Sequence, residues 1–136
     1  MSSIVLIVDD DVPRARRTAD WLIDAGHRVV HTRDLWSAAI AVGAVRAHVV
    51  VMAHQMTERA DAASLARFAT SVRAAGATVI SASCTRRETP AAVAEADYVF
   101  VRFDRSDLLA AISRHIADPN DPVSRKLAGR EKGAEC

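Results

Sequence analysis

The chain has 136 residues, half of them hydrophobic, and a formal net charge of +1. That length suits one domain with a real core, and the near-balanced charge argues against bulk attraction to nucleic acid or to a membrane surface. No apolar run approaches the roughly 20 residues that a membrane helix needs, and no secretory leader is read at the N-terminus. Cys84 and Cys136 match no zinc or redox spacing. With no export signal read, they favour a reducing cytoplasm.

Ile4-Val5-Leu6-Ile7-Val8 is a short, unbroken aliphatic run that stops at Asp9-Asp10-Asp11. It predicts a strand buried on both faces, as in a parallel sheet. Pro13 suits the first turn of a helix, Val12, Ala15, Ala19, Leu22 and Ile23 recur at helical spacing, and Gly26 ends it. Arg28 to Thr32 reads as a second strand, and Leu35, Ala38, Ala39, Val42 and Val45 as a second helical stripe. His48 to Met52 is the third strand. Leu65, Phe68, Ala69 and Val72 mark a third helix closing near Gly76. Thr78 to Ala82 is the fourth strand, a short helix is expected over about 90–96, and Tyr98 to Val101 is the fifth strand. Leu108, Leu109, Ile112 and Ile116 mark the last helix. After Asp118 the composition turns polar and charged, so the expected division is a domain over 1–118 and a flexible tail over 119–136.

Five strands alternating with helices imply a doubly wound parallel sheet with its chemistry at the C-terminal strand ends. Those ends carry Asp9-Asp10-Asp11, Ala53-His54, Ser83-Cys84 and Val101-Arg102. Clustered carboxylates repel one another unless a cation compensates, and magnesium favours such oxygens. Alternatively, Asp11 caps the first helix. Arg14, Arg16 and Arg17 read as a solvated basic face pairing with Asp20 and Asp24. Trp21 and Trp36 either anchor a partner or complete a helix–sheet contact.

Ile4 to Asp11, followed by five strand–helix units, resembles the opening of the response-regulator receiver family, a resemblance that covers about residues 4–117. It implies a flavodoxin-like (βα)5 fold with strand order 2-1-3-4-5 and a magnesium-binding acidic pair, here Asp9 and Asp10. The family's third strand ends in a phosphoacceptor aspartate, commonly with Met three residues later. In Met52-Ala53-His54-Gln55-Met56 that register puts Ala53 at the acceptor position, and a slip of one residue puts His54 there. Neither has a carboxylate, and His54 reads as a loop histidine. Ser83 matches the family's switch Ser/Thr and Tyr98 its switch aromatic, while Cys84 reads as a small hydrophobe. In Tyr98-Val99-Phe100-Val101-Arg102-Phe103-Asp104, Val101 replaces the family's lysine and Arg102 its proline. Under a slip, Arg102 takes the lysine's role and pairs with Asp9 or Asp10 in place of magnesium.

The functional expectation is therefore a degenerate receiver, a pseudo-receiver. It would be a non-enzymatic, phosphorylation-independent module of a bacterial two-component-type pathway, acting through a protein partner or a second copy of itself. No cofactor, nucleic acid or membrane partner is expected. The alternatives are metal or small-molecule sensing in the acidic pocket, and a phosphatase of haloacid-dehalogenase type with Asp9 as nucleophile and Asp11 as acid/base.

Overall fold

The computed structural model describes residues 3–83 and 98–117, with the side chains of 98–100 and 115–117 left aside. The expected helix over 90–96, Cys84, Cys136 and the expected tail over 119–136 lie outside the described residues.

Strand β1 (Ile4–Val8) leads into helix α1 (Val12–Asp24), then β2 (Arg28–Thr32), α2 (Leu35–Ala44) and β3 (Val49–Ala53). Two helices follow, α3 (His54–Arg59) and α4 (Ala62–Ala75), then β4 (Thr78–Ser83), β5 (Tyr98–Arg102) and α5 (Arg105–Ala117). The strands form one parallel sheet in the order β2-β1-β3-β4-β5. This is the flavodoxin-like arrangement expected from the sequence.

The aliphatic runs take the centre of the sheet, because only there are both faces covered. Every residue of β3 is buried, whereas edge strand β2 is half-exposed. α1 packs beside α5 on one face, and α2 beside α4 on the other. Leu22, Leu108 and Ile112 fill the first layer, and Val42, Phe68 and Val72 the second.

Short polar side chains start the helices by accepting backbone N–H groups that have no intrahelical partner. The Asp11 carboxylate accepts from Arg14 N–H at 3.1 Å, Asp34 from Ser37 N–H at 2.7 Å and Asp61 from Ser64 N–H at 2.7 Å. α4 closes on Gly76 at φ +69°, a left-handed conformation that costs glycine nothing.

Two local expectations are corrected. β3 lies one residue later than His48–Met52, running to Ala53. His54, expected in a loop, opens helix α3 and is itself buried. Met56 and Thr57 turn inward beside it, and Thr57 Oγ1 donates to the His54 carbonyl at 2.6 Å. A six-residue helix spans under two turns, too short for a periodic stripe to show.

Candidate functional site

The site lies where β1, β3, β4 and β5 end. Ladder register fixes which residues stand level there. Val8 pairs with Met52, so the next residues along, Asp9 and Ala53, are level. Ala53 pairs with Ala82, and Ala82 with Val101. A carboxylate therefore heads a row of buried apolar side chains, with Ala53 itself 1% exposed. Arg102 stands one residue farther out, paired with Ser83. The sheet thus follows the gapless register: Val101, not Arg102, shares the row with Ala53. The described peptide bonds are all trans, 101–102 included.

The three aspartates after β1 have separate jobs. Asp9 is 1% exposed and extends the sheet by one bond, its N–H donating to the Thr32 carbonyl at 3.1 Å. Its carbonyl oxygen lies 2.8 Å from His31 Nε2. Its carboxylate receives a two-pronged guanidinium contact: Arg14 Nε donates to Oδ2 and Arg14 Nη2 to Oδ1, both at 2.8 Å. The Asp11 N–H adds a third bond to Oδ1 at 2.9 Å. Asp10 is bound by Gln55 Nε2 at 2.8 Å and Arg59 Nη1 at 2.7 Å. Asp11 caps α1.

Arg14 corrects two expectations. The sequence pattern predicts a solvated basic face, yet Arg14 is 9% exposed and turned inward. Arg16 and Arg17 do stay outside, but neither pairs with Asp20 or Asp24; Arg17 stacks over the Trp21 ring at 5.5 Å instead. Nor does Arg102 engage the acidic pair, because Arg14 and Arg59 already do. Arg14 sits one turn into α1, so its side chain reaches back over the helix start to Asp9. Its guanidinium also lies over the Phe103 ring, 4.6 Å from the centroid. The Asp9 hydrogen bond raises the Arg14 pKa above its ordinary value; burial opposes the shift, and the charges of Asp9, Asp11 and Asp10 add to it.

The remaining predicted residues do not all gather at that edge. Ser83 ends β4 half-buried. Tyr98 begins β5, paired with Val79 at the opposite end of the strand from Arg102. Arg102 is half-buried, with Nε and Nη1 out of contact with solvent. His54 Nδ1 lies 3.3 Å from Ser81 Oγ, beneath the row. Arg14, Gln55 and Arg59 are the site residues that sequence reasoning missed. The signal for Arg14 was its place five residues after Asp9, one turn into the helix that follows.

The residues present do not fit the magnesium of the family pattern. That ion wants near-octahedral oxygen ligands. Here both oxygens of Asp9 and both of Asp10 face side-chain donors, and Ala53 supplies none. Among the described residues no group of three or more His, Cys, Asp or Glu side chains is arranged to hold a metal. No described helix is long and apolar enough to cross a membrane.

The sheet order is that of the flavodoxin-like fold, and solved response-regulator and receiver domains superpose on it. The N-terminal domain of a response regulator/sensory box/GGDEF 3-domain protein from Carboxydothermus hydrogenoformans superposes with a TM-score of 0.70 at 16% identity, over 86% of this chain and 98% of that one. A two-component response regulator from Clostridium difficile gives 0.70 at 10% identity, over 88% and 99%. A CheY-like response regulator receiver domain protein from Methanospirillum hungatei gives 0.69 at 16% identity, over 87% and 96%. At such identities the likeness is one of fold. No protein-family model and no curated protein matches the sequence.

Proposed function

We propose that the chain is a receiver-like signalling module that works without phosphoryl transfer and acts through protein contacts in a bacterial two-component-type pathway. The observation that carries this reading is the buried methyl group of Ala53 level with Asp9. An acyl phosphate needs a carboxylate oxygen to attack phosphorus, and the acceptor position has none. The cation beside the acidic pair is a guanidinium on the chain's own α1, held by two hydrogen bonds. It neutralises Asp9 without a dissociable ion.

The same contacts argue against the other readings. A nucleophilic Asp9 would have to leave a buried, three-donor environment before attacking a phosphate ester. Asp11, the acid/base of that scheme, accepts an α1 backbone N–H. Metal or small-molecule sensing would need carboxylate oxygens that the chain already binds internally. We place the protein in the cytoplasm, in keeping with its cysteine usage.

The test is incubation with acetyl phosphate and magnesium, followed by intact-mass measurement and tryptophan fluorescence, with beryllofluoride in parallel. No phosphoryl adduct and unchanged spectra are expected. A stoichiometric acyl phosphate on any carboxylate overturns the reading. Turnover of p-nitrophenyl phosphate that is lost in Asp9→Asn would replace it with the phosphatase.

A further inference from the structure

We infer that the outer face of α2 and α4 is a docking surface for an acidic amphipathic helix of a partner protein, an inference that rests on the protein-contact reading above and names its surface and partner chemistry. α2 has no charged residue in its ten positions, which is unusual for a helix with one face in water. Trp36 and Ile40 stand one turn apart on it, 55% and 59% exposed. Gly43 and Ala44 extend the exposed strip without adding charge. Large apolar groups gathered on one stripe mark an interaction surface, where scattered ones would not.

Charge selects the partner. Arg67 of α4 lies over the Trp36 ring, 3.9 Å from the centroid, so the aromatic anchor comes with a cation already seated on it. Arg46 adds a second exposed cation just past the end of α2. Between Leu35 and Ser83 the acidic residues are Glu58 and Asp61 alone. Asp61 and Asp34 keep their charge as the caps of α4 and α2, which confines it to the starts of those helices. A surface that is apolar, cationic and poor in acids complements a helix with an aliphatic stripe flanked by Glu or Asp. A second copy would set Arg67 against a similarly cationic face. A nucleic acid would leave Ile40 without an apolar counterpart.

The experiment uses the full chain and two fluorescent helical peptides of about 18 residues, or five turns. Both carry the same leucine stripe, one flanked by Glu and the other by Lys. Fluorescence anisotropy should show saturable binding of the acidic peptide, at least about tenfold weaker with Trp36→Ala or Ile40→Ala. Arg67→Glu should reverse the preference toward the basic peptide. Circular dichroism checks that each variant is folded. Equal binding of both peptides, no binding of the acidic one, self-association abolished by Trp36→Ala, or tighter binding of an oligonucleotide each overturns the assignment. Such an outcome with no phosphoryl adduct leaves the phosphorylation-independent reading standing, whereas peptide binding that appears only after phosphorylation sinks that reading.

Discussion

Replacing Arg14 with Met would show what the Asp9–Arg14 pair contributes. Methionine keeps an unbranched apolar stem against Phe103 and removes the guanidinium. Asp9 is then left 1% exposed, with a carboxylate that has lost two of its three side-chain or backbone donors. Breaking a buried pair by removing one partner costs about 3–5 kcal/mol, because the remaining charge stays desolvated. That is a large share of the roughly 5–15 kcal/mol by which domains are stable. With a urea slope of about 1–3 kcal/mol/M, the unfolding midpoint should fall by about 2 M. Asp9→Asn in the same chain removes the orphaned charge yet keeps an oxygen for the Asp11 N–H. The double variant Asp9→Asn/Arg14→Met should therefore recover most of the loss. Urea unfolding of the four chains, followed by far-ultraviolet circular dichroism, gives the coupling directly. An Arg14→Met midpoint within about 0.5 M of the parent, or a double variant no better than the single, would refute a buried and mutually dependent pair.

Magnesium should raise the parent's stability by less than about 0.3 kcal/mol at 10 mM, since a 1 mM site would give about 1.4 kcal/mol; urea midpoints with and without the ion decide it. Ala53→Asp places a second carboxylate level with Asp9, and should cost about 2–4 kcal/mol in urea unfolding through desolvation and like-charge repulsion. Phe68→Ala empties a fully buried position on α4 and should cost about 3–5 kcal/mol by the same assay. Burial holds the His27 pKa below 6.5, and His27 Nδ1 accepts the Ser3 N–H at 3.3 Å, which needs the neutral ring. With the folded pKa depressed, the unfolded chain takes up the proton first. Stability is complete above the unfolded value and declines as pH falls below about 6.5. His27→Asn should flatten that limb of a stability–pH curve.

The architecture was legible because each strand and helix announces itself by its own period. Ile4 to Val8 and Val49 to Met52 are apolar at consecutive positions, and Val79 to Ala82 departs from that only at the buried Ser81, a pattern suited to a sheet covered on both faces. The strand order came instead from resemblance at Ile4 to Asp11. The site was less legible, for a reason visible at Arg14. Neighbouring arginines at 14, 16 and 17 look alike in sequence, and a solvated face is the sound default for such a cluster. Helical geometry separates them: Arg14 projects back over the first turn toward Asp9, while Arg16 and Arg17 point to solvent. Asp10 shows the same limit. Its partners Gln55 and Arg59 sit on a helix too short to leave a periodic trace, some 45 residues away in the chain.

On the reading proposed above, a guanidinium stands where the family holds a metal ion, which bears on how such a module would carry information. A two-state protein responds to a ligand only through that ligand's different affinity for the two states. A phosphoryl group and a bound magnesium ion are such ligands, because they come and go. Arg14 does not: it is covalently part of α1, and its contacts with Asp9 and Phe103 tie the start of that helix to the ends of β1 and β5. On that reading any change of state is driven from elsewhere on the surface, by a partner whose binding distinguishes the states. The charge-free outer face of α2 lies on the other side of the sheet from α1, so a helix bound there would reach Trp36 and Ile40 without displacing Arg14. Binding of the acidic peptide should accordingly survive Asp9→Asn/Arg14→Met with its affinity changed by less than about threefold, since distant sites without shared contacts behave additively. A larger change would mean that the two regions move together, and that the ion pair belongs to the switch rather than to the scaffold.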